Sequence, residues 1–187
     1  MVFPVMVDLG GLPVVLIGQG RAAERRLRLL DEAGAAQVSV YSADPSDSFR
    51  ALAGSRLKGA RPQPGVVEGA TLVMLAGLDE RETEIYATAA RGAGRLVNTE
   101  DAKAWCDFHV PSVVRRGDLL LTVSTNGRAP GLARRLSRWL AERFEPDWAG
   151  KLDEIARHRE AWRNEGLPVP EVGRKVDQMI EEKGWLA

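Results

Sequence analysis

The chain reads as an α/β protein: a parallel sheet wound with helices over residues 1–110, a small strand–helix element over 111–146, and a helical tail over 147–187. Three observations predict this. Short runs that are wholly apolar or strictly alternating recur between helical patterns, at residues 14–17, 37–41, 70–76 and 94–98. That spacing is the one right-handed parallel crossovers need. The first run also passes through Gly18-Gln19-Gly20 directly into a helical pattern, the setting of a dinucleotide-binding turn. After Pro111 the alternation stops, and a hairpin pattern and amphipathic helices take over. The first part is therefore of Rossmann type.

Each element has its own local reason. Residues 14–17 (VVLI) are apolar throughout, as a strand buried on both faces must be. A helix follows over 21–33 with Ala23, Leu27 and Leu30 on one face and Gly34 placed to stop it. QVSVY at 37–41 alternates as a strand, and Ala43-Asp44-Pro45 breaks it. A helix is expected over 46–57 and a Gly/Pro-rich loop over 59–65. ATLVMLA (70–76) is the third strand, 79–91 a polar-faced helix, and GRLVN (94–98) the fourth strand. Residues 112–115 and 118–124 form two strands turned at Arg116-Gly117. The helix over 130–144 starts at Pro130, which suits a first turn, and sets Leu132, Leu136, Trp139 and Leu140 on one face. The tail holds two helices split by 166–170 and carries three of the five tryptophans; its apolar faces are expected to cover a cleft or a partner subunit.

Bulk composition narrows the function classes. At 187 residues with 44% hydrophobic and 28% charged residues, the chain buries a real core without staples. Lys+Arg and Asp+Glu both number 26, so no global field attracts nucleic acid or an acidic membrane. No apolar run approaches the ~18 residues needed to cross a bilayer. The apolar start lacks a basic leader segment and is interrupted by Asp8, so it does not read as a signal peptide. The single cysteine, Cys106, forms no intrachain disulfide, which suits a reducing compartment. A cytoplasmic location is the expectation.

Gly18, Gly20 and Ala23 fit G-x-G-x-x-[GA]. Gly18 allows the tight bend, Gly20 lets backbone reach a pyrophosphate, and Ala23 lets the helix lie close on the strand. Gly18, Gln19, Gly20, Arg21 and Ala22 are thus the first candidate cofactor contacts, although a tight turn without ligand would look the same. Ser42 follows the second strand, where open α/β sheets gather ligands, while Ala76, Gly77, Leu78 and Asn98 are candidates only through the family resemblance given below. The acid that usually holds the ribose is missing from the end of the second strand. Asp44 comes late, no arginine sits beside it for a 2′-phosphate, and the local residues leave NAD and NADP open.

Three stretches are more specific together. IGQGRAAERRLRLLDEAGA, VNTEDAKAWCDFHVPSVVRRG and LLLTVSTNGRAPGLARRL, in that order and spacing, resemble the precorrin-2 dehydrogenase and sirohydrochlorin ferrochelatase family, the N-terminal module of siroheme synthase. The match covers roughly residues 3–144. The resemblance implies NAD-dependent oxidation of precorrin-2 to sirohydrochlorin, with ferrous iron insertion added in some members. It also implies a homodimer intertwined through the middle region, and Asp101, the acid of V-N-x-x-D, as the catalytic residue. A chain ending at Ala187 is expected to lack the methyltransferase domain of the fused enzymes.

The chemistry is consistent with these residues. A carboxylate beyond a strand's C-terminal end is placed to act as a base, though Asp101 also reads as a helix N-cap ahead of Ala102. A substrate rich in carboxylates calls for guanidinium groups, and Arg116 and Arg128 are the candidates; Arg115, Arg134 and Arg135 complete the cluster and also read as solvated surface. Ser124, Thr125 and Asn126 precede a helix N-terminus and either hold a carboxylate arm or cap the helix. His109 beside Cys106, with His158 elsewhere, falls short of a four-ligand metal site, so no resident metal is expected and iron would be a passing substrate. Leu78, Glu84 and Ala129 depart from the family pattern, which has threonine, asparagine and serine there. Those departures favour the alternative reading, a non-catalytic module that binds NAD or a tetrapyrrole.

Overall fold

The computed structural model describes residues 2–100 and 102–186; Asp101, the residue singled out for catalysis, lies outside the described residues. The chain divides into two compact units, Met1–His109 and Val110–Ala187.

In the first unit, β1 (Pro13–Gly18), β2 (Gln37–Tyr41), β3 (Leu57–Gly59), β4 (Leu72–Ala76) and β5 (Leu96–Thr99) form a parallel sheet in the order β3-β2-β1-β4-β5. The helices α1 (Gly20–Glu32), α2 (Asp47–Ala53), α3 (Pro64–Gly69) and α4 (Glu80–Gly92) make the crossovers. The strand order reverses between β1 and β4, so the carboxyl ends of these two strands flank the switch point at which such sheets bind ligands. Leu16 of β1 and Val73 of β4 are fully buried, as strands covered on both faces require. The helix α1 buries the stripe of Ala23, Leu27 and Leu30 that its periodicity predicts.

Two expectations fail in the segment between β2 and β4. The helix expected over 46–57 ends at Ala53, and a 3-10 turn (Gly54–Arg56) leads into β3, an extra edge strand. Three residues, LKG, are too few to show any alternation. The expected loop over 59–65 contains the start of α3. This six-residue helix survives its two glycines because Val67 is driven into the core, 2% exposed, and because a proline opens its first turn.

The second unit begins with the antiparallel hairpin β6 (Ser112–Arg116) and β7 (Leu119–Val123). The helix α5 (Pro130–Arg143) packs on both strands, and α6 (Trp148–Asn164) packs on β7 and on α7 (Val169–Glu182). Tail tryptophans pack internally: Phe144 meets Trp148 at 5.0 Å between centroids, and Trp148 meets Trp185 at 6.4 Å. On α5 the buried residue is Ala133; Leu132, Leu136 and Trp139 share a face that stays open to solvent, Trp139 at 56% exposure.

Arg116 does not present a free guanidinium to a substrate. Its Nε donates to Phe144 O at 2.6 Å and its Nη2 to Ala141 O at 3.0 Å, satisfying carbonyls that the end of α5 leaves without partners. The sequence assigns this arginine to substrate binding; in the structure the hairpin turn is tied to α5 through it. Arg116→Ala and Arg116→Lys, which both lose the fork, are each expected to lower unfolding stability by about 1–3 kcal/mol in urea denaturation.

Candidate functional site

The site is built where the turn after β1 meets the turn after β4. Gln19 N donates to Ala76 O at 3.0 Å. A Cβ added at Gly18 would stand 2.2 Å from Ala76 O, and one at Gly77 would stand 2.4 Å from Gln19 O. Gly77 also has a φ of +66°. The two turns therefore touch through backbone, and no side chain fits between them at either glycine. Ala23 lies fully buried against the same contact, 3.2 Å from where a Gly18 Cβ would stand. Gly20, at φ +65° with open space around it, begins α1, and the N-cap Gln19 makes no side-chain cap to the helix. The N–H groups of the first turn, at Arg21 and Ala22, therefore belong to an anion-binding helix end.

A small recess opens from this contact toward β2. It is lined by Gly18 and Gln19, by Ser42 and Ala43 beyond β2, by Ala60 and Arg61 beyond β3, and by Leu78, Glu82 and Tyr86. Ser42 N donates to Gly59 O at 2.9 Å, which fixes the end of β2 against the exit of β3. The Ser42 Oγ is buried in the recess without a hydrogen-bond partner, and Asn98 Oδ1 is likewise buried and unpartnered in β5. Buried polar atoms left without a partner in this way call for a hydrogen-bonding group from water or a ligand. The close backbone approach, the uncapped helix end and the unpartnered Ser42 hydroxyl fit a dinucleotide.

Glu82 accepts from Arg61 Nη2 at 3.2 Å and is set in the first turn of α4, whose N-cap Asp79 accepts from Glu82 N at 2.7 Å. Burial, and after it the Glu82 carboxylate, raises the Tyr86 phenol above its ordinary 10.0, with Arg61 opposing. Tyr86 is therefore a neutral hydroxyl at physiological pH. Leu78 is half-buried and packs on the core as well as on the recess, so it supplies an apolar wall there.

The segment after β5 is clasped to the sheet. Asp107 N donates to Val97 O at 2.8 Å, Val97 N donates to Asp107 Oδ2 at 2.9 Å, and Arg91 pairs with Oδ1 at 2.8 Å. Asn98 Nδ2 donates to Phe108 O at 2.9 Å, and Cys106 Sγ accepts from Thr99 N at 3.3 Å. Glu100, at the end of β5, accepts from Arg25 of α1 at 2.7 Å. The asparagine and the C-D-F run of the sequence motif thus fix residues 106–108 against β5.

The other sequence candidates lie in the second unit. Ser124 Oγ accepts from Asn126 N at 3.3 Å, and Thr125 Oγ1 accepts from Ala129 N at 3.2 Å. Asn126 has a φ of +52°, and Arg128 is exposed. The two hydroxyls bond within the turn before α5, whose N-cap, Ala129, receives no side-chain cap. His109 and His158 are both exposed, and among the described residues no three His, Cys, Asp or Glu side chains gather as a metal site would need. Among the described residues no helix is long and apolar enough to cross a membrane.

Comparison with known proteins bears on the same site. Residues 5–112 match a family model described as "Putative NAD(P)-binding", which takes in all of the sheet and the clasped segment. The chain belongs to this NAD(P)-binding family. Curated relatives extend the likeness further. The chain is 34% identical over 174 residues, 91% of its length, to a siroheme synthase of Methylococcus capsulatus, and 35% identical over 164 residues, 86% of its length, to siroheme synthase 1 of Klebsiella pneumoniae. It spans about a third of the length of these relatives, 36% and 34% respectively. A solved structure named SirC, precorrin-2 dehydrogenase, has the same fold, with a TM-score of 0.78 at 19% identity, covering 100% of this chain and 93% of the other.

Arg61, Glu82 and Tyr86 are site residues that sequence reasoning misses. Arg61 arrives through the short β3, and Glu82 and Tyr86, four apart on α4, share a helix face whose neighbours periodicity alone does not name. The crossed turns generate a prediction of their own. Gly77→Ala is expected to reduce stability by about 2 kcal/mol or more in chemical denaturation, since backbone has to move to admit the methyl group. Dinucleotide binding by the variant should fall with it.

Proposed function

We propose that the protein is an NAD-dependent precorrin-2 dehydrogenase, forming sirohydrochlorin for siroheme synthesis as a cytoplasmic homodimer. The observation that carries the reading is the open Ser42 hydroxyl in a recess continuous with the crossed glycine turns, in a chain whose likeness to siroheme synthases extends over both units. Bound NAD supplies the hydride acceptor. The chain's own residues do the rest. The first turn of α1, at Gly20, Arg21 and Ala22, holds the phosphates; Ser42 holds a ribose hydroxyl; Ala76, Gly77 and Leu78 wall the nicotinamide end. Oxidation removes a hydride and a proton from the macrocycle, and Asp101 is the base proposed to take the proton. Arg128 and the turn 124–126 are the proposed contacts for carboxylate arms, and Arg116 supports them by fixing the hairpin. Ferrous iron enters as a substrate if the protein also metallates sirohydrochlorin, with Asp101 then accepting pyrrole protons.

The decisive experiment is anaerobic, with precorrin-2 generated in place by a separate methyltransferase. Wild-type protein and NAD are expected to yield NADH and the sirohydrochlorin spectrum, and Asp101→Ala to lose about a hundredfold or more in rate, the usual contribution of a general base. NADH from both proteins would retain the activity and remove Asp101 from it. NAD binding without NADH from the wild type would leave the non-catalytic module as the reading. A parallel arm with sirohydrochlorin and ferrous iron reads metallation.

The homodimer rests on α5. Leu132, Leu136 and Trp139, at 51%, 40% and 56% exposure, form an apolar face, with Val113 of β6 also exposed in the same unit. Leu136→Asp together with Trp139→Glu is expected to convert a dimer to a folded monomer in light scattering after size exclusion. A wild type that runs as a monomer at micromolar concentration would refute this arrangement.

A further inference from the structure

Dinucleotide sites of this fold ordinarily place an acid at the end of the second strand, where it accepts from the ribose hydroxyls and repels a 2′-phosphate. Here β2 ends in Tyr41-Ser42-Ala43, which carries no charge, and Asp44 does not line the recess. The recess nevertheless contains a carboxylate. Glu82 lines it from α4, and its partner is Arg61, which lines it from beyond β3. Glu82 is the less exposed of the two, with its side chain at 25% against 71% for Arg61. The Asp79 cap fixes its place in the first turn of the helix. Ser42, whose buried Oγ has no partner of its own, lines the same recess.

We propose that Glu82, delivered from α4 in place of the missing acid of β2, reads the adenosine ribose together with Ser42, and that its pairing with Arg61 sets a preference for the dinucleotide without a 2′-phosphate. The proposal rests on the reading of this recess as the cofactor site. A ribose 2′-hydroxyl donates to a carboxylate and accepts from a serine hydroxyl, so the two side chains together satisfy both of its hydrogen-bonding capacities. A 2′-phosphate has no proton to offer Glu82 and brings like charge beside it. Arg61 alone would reverse this, because an uncompensated guanidinium binds phosphate in bidentate fashion. The ion pair is thus the specificity element: Glu82 cancels the one charge in the recess lining that would welcome NADP.

The test is titration calorimetry on the full chain with NAD and with NADP in separate runs at one ionic strength, with circular dichroism of each variant. Wild-type protein is expected to bind NAD more tightly. Glu82→Gln, which keeps shape and removes charge, is expected to move the ratio of the two dissociation constants toward NADP by on the order of tenfold or more, the size of one charge-assisted hydrogen bond. Adding Arg61→Ala to it should abolish the gain for NADP, and Glu82→Asp should retain the wild-type preference. An unchanged ratio in a folded Glu82→Gln that still binds NAD overturns the role of Glu82 alone. A wild type that prefers NADP overturns it too. Binding of neither nucleotide by the wild type removes the cofactor site itself, and this proposal with it.

Discussion

The backbone contact between the β1–α1 turn and the β4–α4 turn is the constraint on which the first unit is organised. At the switch point of the sheet two loops run close enough that Gln19 N bonds Ala76 O, and neither Gly18 nor Gly77 has space for a methyl group. Everything above this contact inherits its position: α1 starts at a set height over the sheet, Ala23 seats the helix, and Leu78 turns down onto the core while still lining the recess. A contact made of backbone is rigid because it has no rotamers to lose, and rigid elements hold a site most precisely.

A second clasp serves the opposite side of the sheet. Asp107 bonds Val97 with both its backbone and its carboxylate, and Arg91 neutralises it while stacking on Trp105 at 5.4 Å. Together with Asn98 and Cys106, these residues secure residues 106–108 against β5. Much of the motif most diagnostic of the family is therefore scaffold. Asn98, Cys106 and Asp107 spend their polar groups on the chain.

The second unit follows the same economy in another form. Arg116 turns a hairpin end into a cap for α5, and Trp148, packed between Phe144 and Trp185, joins the end of α5 to the tail helices. These contacts leave the apolar face of α5 without a cover in the chain itself.

Local pattern is sufficient for the strands β1, β2, β4 and β5, for α1 and α4, for the glycine turn and for the hairpin and helices beyond Pro111, because period, turn residues and caps are properties of neighbours in the chain. It is insufficient for β3 and α3, where three and six residues with glycine at their ends carry no period and are held by pairing and burial instead. The same division runs through the site. Gly18, Gly20, Ala23 and Ser42 announce themselves by spacing, since the chain must turn and approach a ligand there. Arg61 and Glu82 are 21 residues apart and meet only because the exit of β3 and the first turn of α4 both line the recess. Arg116 looks in the sequence like a cation waiting for a substrate, and its partners, the carbonyls of Ala141 and Phe144, are 25 and 28 residues away. A side chain's chemical type is written locally, but which group it satisfies depends on distances that the fold alone sets.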